Sequence, residues 1–234
     1  MKYNILTVAN ETYSPFIKLF VNSIFEFVDL ENIENIYIFD TGFDRETTEY
    51  VKCFPKVVIV DSQLQTTSDA IHDNGWKVNT YSKTKFLLDT LKKDKNPIFM
   101  IDADSIFRYN FEDLIDWKKS IVTCKRDRVG FSKHIGSFFG IINYEEGVDF
   151  LEKWIKNIQF LQETTSLKHC ESPALSKTIE EGKWSNQEIE ENLVSAVFPT
   201  KESMIYHLKS DSYATTIEQR LALPHAAPFV QRYM

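Results

Sequence analysis

Apolar residues in the first hundred positions follow two alternating rhythms. Short unbroken runs occur at Ile5-Leu6-Thr7-Val8-Ala9, Ile36-Tyr37-Ile38-Phe39, Val57-Val58-Ile59-Val60 and Ile98-Phe99-Met100-Ile101, with the length and β-branched or aromatic content of buried strands. Between the first two, Phe16, Ile17, Phe20, Val21, Ile24, Phe25 and Val28 recur at helical spacing behind Ser14-Pro15, which reads as an N-cap and a first-turn proline. Arg45 to Cys53 predicts a second helix and Tyr81 to Leu91 a third. Gln63 to Asn79 breaks the rhythm with polar residues and Gly75, and predicts an ordered loop over the sheet edge. Strand and helix in alternation build βαβ units, so the expected fold class is α/β, a mixed, mainly parallel sheet flanked by helices.

The second half is less regular. Phe111 to Trp117 predicts one or two helical turns, Ile121 to Cys124 and Phe138 to Asn143 short strands, and Glu145 to Phe160 an amphipathic helix. Ser172-Pro173 repeats the capping pattern and predicts a helix running to Glu181. Met204 to Leu208 is a late strand, and the tail from Leu223 to Tyr233 is apolar and punctuated by proline.

At 234 residues and 43% hydrophobic content the chain suffices for one domain, with no internal repeat. An excess of 34 acidic over 27 basic residues, net −7, argues against nucleic acid as the main partner, because phosphate neutralisation needs a basic face. No apolar segment is long enough for a signal peptide or membrane span, so a cytosolic protein is expected. Cys53, Cys124 and Cys170 are odd in number and widely spaced, indicating neither a disulfide framework nor a zinc site.

The chemistry concentrates where the run Ile98 to Ile101 ends in Asp102-Ala103-Asp104. Ligands of open α/β sheets bind beyond the carboxyl ends of strands. Two aspartates there repel unless a cation offsets them, and oxygen-only ligands suit Mg²⁺ or Mn²⁺ bridging a substrate's phosphates. The bland alternative is a pair of turn-forming or capping aspartates.

Phe99-Met100-Ile101-Asp102-Ala103-Asp104 does not stand alone. It is preceded by Tyr81-Ser82-Lys83-Thr84-Lys85-Phe86-Leu87-Leu88 and followed by Gly140-Ile141-Ile142-Asn143 and a helix containing Phe150-Leu151-Glu152-Lys153-Trp154. In this order the motifs resemble the nucleotide-diphosphosugar transferases of the GT-A (Rossmann-like) fold, glycosyltransferase family eight and its neighbours, over Ile5 to about Lys209. The resemblance implies a single GT-A domain. Residues 1–110 would be its nucleotide-binding half, 111–210 its acceptor-side half and 211–234 a tail. It also implies transfer of a sugar from a UDP-sugar to a glycan or other hydroxyl acceptor, with a divalent metal held by Asp102 and Asp104 across Ala103.

Further roles follow residue by residue from the resemblance. Thr7, Ala9, Asn10 and Tyr13 would surround the nucleobase, although without the resemblance Asn10 is a turn former and Tyr13 a core aromatic. Lys83, with Lys85 as the alternative, would contact phosphate or sugar from the start of its helix. His207 would complete the metal site and Lys209 would neutralise the leaving diphosphate, but Ser210 stands where relatives have glycine. Gly136, Ser137 and Glu171 would line the sugar and acceptor pocket, or serve as ordinary turn and capping residues. Retention of configuration is implied; inversion would need a carboxylate base, for which Asp127 and Glu171 are candidates. Arg126 and Arg128 read either as an anion site or as a solvated charge run.

Two other functions compete. A sugar-phosphate nucleotidyltransferase would carry a glycine-rich basic loop after its first strand, and Asn10-Glu11-Thr12-Tyr13 has neither property. A non-catalytic nucleotide-sugar-binding module would keep the fold without needing the carboxylates.

Overall fold

The structure, a computed structural model, describes residues 1–64, 66, 74–127, 132–167, 169–209, 214 and 216–234. The strands are β1 (Tyr3–Ala9), β2 (Ile33–Asp40), β3 (Val57–Asp61), β4 (Ile98–Ile101), β5 (Ser105–Phe107), β6 (Ile121–Lys125), β7 (His134–Ile141), β8 (Asn186–Glu190) and β9 (Ile205–His207). The helices are α1 (Ser14–Phe27), α2 (Arg45–Lys52), α3 (Asn74–Asp94), α4 (Tyr144–Thr164), α5 (Glu171–Glu181), α6 (Glu191–Val194), α7 (Ile217–Leu221) and α8 (Ala227–Tyr233).

Seven strands form one sheet in the order β3-β2-β1-β4-β7-β6-β8, and β5 pairs with β9 in a separate ribbon. Parallel pairing joins β3, β2, β1 and β4, and also β6 and β8, whereas β7 runs antiparallel to its neighbours β4 and β6. The sheet is therefore mixed and mainly parallel.

Alternation along each central strand divides the core into two layers. Ile5, Phe99, Ile101 and Phe138 face one side, where Phe20, Val21 and Ile24 of α1 cover them. Leu6, Ile98, Met100 and Phe139 face the other, against Leu87 and Leu91 of α3 and Phe150, Leu151 and Trp154 of α4. Because both faces are buried, these strands read as continuous apolar runs rather than alternating ones.

The structure corrects several boundaries. α3 begins at Asn74 rather than Tyr81, so the loop expected to Asn79 ends earlier and Lys83 lies in mid-helix instead of the first turn. Residues 65 and 67–73 of that loop fall outside the described set. Ser14 and Ser172 are not N-caps: the cap positions are Tyr13 and Cys170, neither with a side-chain cap bond. β7 starts at His134, four residues before the expected strand. The tail packs on the domain, with Phe229 edge-on to Phe27 and Tyr206 and with Ala226 buried.

Candidate active site

The carboxyl ends of β1 and β4, the start of β7 and the end of β6 open onto one cavity of about 560 Å³. Asp102 follows β4, and its backbone N–H donates to Ser137 O of β7 at 3.0 Å. The chain then turns, with Ser105 N–H donating to Asp102 O at 3.1 Å, and enters β5. Pairing of β5 with β9 sets Ser105 opposite His207, and Leu208 N–H donates to Asp104 O at 2.8 Å. This ribbon delivers a histidine from more than a hundred residues away to the two aspartates.

Asp102, Asp104 and His207 can each present one ligand atom within 4.8 Å of the others. His207 Nε2 lies 3.1 Å from Asp104 Oδ1 and 3.8 Å from Asp102 Oδ2. On the far side of the ring, His207 Nδ1 meets Ser195 Oγ at 2.8 Å, and Ser195 Oγ meets Ser137 Oγ at 2.7 Å. Fixing Nδ1 in this way aims Nε2 at the aspartates, the arrangement that orients an imidazole ligand. Two carboxylates and an imidazole, with open cavity beside them, form a donor set that could hold a divalent cation.

Both aspartates also have cationic partners. Arg220 of α7 donates from Nη2 to Asp104 Oδ2 and from Nε to Leu208 O. Burial alone would raise the Asp104 pKa, but His207 and then Arg220 outweigh it and hold the carboxyl well below the usual range. Lys83 Nζ lies 3.0 Å from Asp102 Oδ1, 2.8 Å from Glu171 Oε1 and 3.3 Å from Gly136 O. The Lys83 to Glu171 contact is an ion pair lacking aligned hydrogen-bond geometry. Burial by itself would lower the Lys83 pKa; Asp102 and Glu171 override it and hold the ammonium above its ordinary value. Burial raises the Glu171 carboxyl despite Lys83. A Cβ at position 136 would sit 2.3 Å from Glu171 Oε1, so glycine there lets the glutamate lie against β7.

Of the other candidates from the sequence, Ala9, Tyr13, Ala103, Ser137 and Lys209 line the cavity, whereas Thr7 and Asn10 are buried behind it. Asn10 Nδ2 donates to Thr66 O at 3.1 Å and to Thr66 Oγ1 at 3.2 Å. Lys209 has its pKa lowered, first by burial and then by Arg126. Asp127 is exposed and outside the cavity lining, as is the alternative Lys85. Arg126 is not a solvated charge: it lines the cavity with its Nε 3.0 Å from Glu191 Oε1. Arg128 and Ser210 lie outside the described residues. Sequence reasoning missed Thr12, Ser195 and Arg220.

The same architecture occurs in solved structures. The galactosyltransferase LgtC, in complex with donor and acceptor sugar analogs, superposes with a TM-score of 0.68 over 99% of this chain and 96% of that one, at 9% identity. The chain has the GT-A fold. An active-site mutant of LgtC gives the same TM-score at 11% identity, covering 97% of this chain and 94% of that one. The bifunctional glycosyltransferase WbbM shares this GT-A architecture at a TM-score of 0.64 and 12% identity; this chain is covered in full and spans 52% of WbbM. No protein-family model and no curated protein matches the chain by sequence. Among the described residues no helix is long and apolar enough to cross a membrane.

Proposed function

We propose that this chain is a metal-dependent glycosyltransferase that moves a sugar from a UDP-sugar to a hydroxyl of a glycan or similar acceptor. The observation that carries the reading is the convergence of Asp102, Asp104 and His207 at the mouth of β4, inside a cavity also lined by the end of β1. In this reading the subsites follow the order of the strands across the sheet. Ala9, Thr12 and Tyr13 at β1 take the nucleobase end, and the acidic pair at β4 takes the diphosphate. Gly136, Ser137, Glu171 and Arg126 beyond it take the sugar and acceptor.

A divalent ion on Asp102, Asp104 and His207 would supply Lewis-acid stabilisation of the departing diphosphate. Lys83 and Lys209 add fixed positive charge where negative charge develops on the leaving oxygens, which helps the transition state more than the ground state. Glu171, held by Lys83 against Gly136, faces the sugar. Retention of configuration is favoured because the carboxylates among the described lining residues are all engaged: Asp102 and Asp104 as ligands, Glu171 by Lys83. An inverting enzyme would need one of them free as a base.

Isothermal titration with UDP, with Mn²⁺ and then with chelator, and with GDP as control, tests the reading. Metal-dependent binding of UDP supports it; binding of neither nucleotide under any condition overturns it.

A further inference from the structure

Arg220 reaches the cluster from the C-terminal tail, and nothing in the reading above requires it. Its guanidinium sits 4.2 Å from the Phe16 ring centroid and 5.6 Å from that of Tyr13, and the residue is 5% exposed. One nitrogen is committed to Leu208 O and another to Asp104 Oδ2. The backbone around it is fixed by a capping box between Thr216 and Gln219. Such a side chain is preorganised, permanently charged and held on an aromatic surface.

This placement changes the charge that an arriving ion meets. Among the described residues the cavity is lined by four cations, Lys83, Arg126, Lys209 and Arg220, and three carboxylates, Asp102, Asp104 and Glu171. Glu191 offsets Arg126 from behind, so the set balances at zero. Ligation by Asp104 Oδ1 and His207 Nε2 would displace the hydrogen bond between them and leave the Arg220 contact on Oδ2 untouched. Ligand atoms are therefore available without a net negative field to draw a bare divalent ion. A nucleoside diphosphate brings that negative charge.

Resting on the metal-nucleotide reading of the site, we propose that Arg220 is a resident cation of the metal cluster. It keeps Asp104 a one-oxygen ligand and offsets the carboxylate charge, so that the bare metal binds weakly until a diphosphate brings the missing negative charge. Coupling of this kind is reciprocal: whatever tightening the nucleotide confers on the ion, the ion confers on the nucleotide.

The test is a Mn²⁺ titration of the full chain, read from the electron paramagnetic resonance signal of free ion, with and without UDP, on wild type, Arg220→Gln and Arg220→Lys. Thermal unfolding serves as the folding control. In wild type, UDP should tighten Mn²⁺ by about tenfold or more, within the usual range for coupled sites. Arg220→Gln should bind bare Mn²⁺ on the order of tenfold tighter and UDP in the presence of Mn²⁺ correspondingly weaker. Arg220→Lys, which keeps the charge, should stay within about threefold of wild type for bare Mn²⁺. Unchanged or weaker bare-ion binding by a folded Arg220→Gln overturns the proposal alone, provided wild type binds UDP with Mn²⁺. If Arg220→Gln does not fold, tight Mn²⁺ binding by wild type with no gain from UDP overturns it equally. A wild type that binds neither Mn²⁺ nor UDP overturns the functional reading as well.

Discussion

Replacing Lys83 by methionine should destabilise the protein by an amount that grows with pH. Among the described residues Lys83 is the ion-pair partner of Glu171, and both side chains are buried, whereas Asp102 keeps 29% of its side-chain surface in solvent. Breaking a buried pair from one side typically costs about 3–5 kcal/mol, because a charge is left without compensation. Glu171 has a way out, since it can bind a proton. Its unperturbed value is 4.5, and holding a proton above that point costs about 1.4 kcal/mol per pH unit. The proton route caps the loss at about 3 kcal/mol at pH 7 and below about 1 kcal/mol at pH 5.

The sign follows from the raised folded-state pKa of the variant. Its folded chain holds a proton that the unfolded chain releases, so the deficit is absent below pH 4.5 and increases as pH rises toward the folded value. Burial already raises Glu171 in the wild type, so the measured difference should fall somewhat under the cap. Urea unfolding of wild type, Lys83→Met and Lys83→Met/Glu171→Gln at pH 5 and 7, without metal, reads the effect. A deficit equal at both pH values, or a double variant no more stable at pH 7 than the single one, would refute the account of Glu171 as a buried carboxylate held by Lys83.

Asp104→Ala should abolish metal-dependent UDP binding and also lower stability by about 3 kcal/mol, because Arg220 loses its buried carboxylate; a chemical denaturation curve unchanged from wild type would contradict this. Asp102→Ala, at a part-exposed position, should lose UDP binding by calorimetry with a much smaller change in stability. Ser195→Ala frees the Nδ1 side of His207 and should weaken Mn²⁺ binding in the presence of UDP by about 10–100-fold, with roughly 1 kcal/mol lost in stability. Away from the site, Lys125 and His134 outweigh burial to hold Glu188 at about 2, so its contribution is full above 4.5 and is lost as pH falls from 4.5 toward 2; Glu188→Gln should flatten the acid limb of the stability profile in that window.

How much of this was legible in the sequence depended on whether a residue's environment is made locally. β1, β2 and β4 are covered on both faces, and their unbroken apolar runs announce them. β5 has three residues, and β8 is Asn-Gln-Glu-Ile-Glu on a sheet edge with Ile189 as its buried member, so neither has a pattern to detect. The first turns of α3 lack apolar periodicity, with Val78 exposed, which is why the helix read as starting at Tyr81. Lys83 lines the cavity, but not as the expected first-turn lysine: it is a buried mid-helix cation whose ion-pair partners follow β4 and open α5. The Thr216 to Gln219 capping box was readable as a helix start, whereas the direction of Arg220 into the cavity was not, because its carboxylate and aromatic partners, Asp104 and Phe16, lie more than one hundred and two hundred residues upstream.

That last distance has a structural consequence. The catalytic edge of a parallel sheet offers backbone ends and the residues that follow them, all supplied by strands and their loops. Here the aspartate that closes β4 is completed from elsewhere: β9 brings His207 to one oxygen and α7 brings Arg220 to the other. Tyr13 and Phe16, at the start of α1, form the surface on which that arginine rests. The β1 end of the cavity, the acidic pair and the tail are thus linked through one guanidinium. A truncation before α7 should act on the proposed metal site as Arg220→Gln does while also stripping the apolar cover from Phe16 and Tyr206.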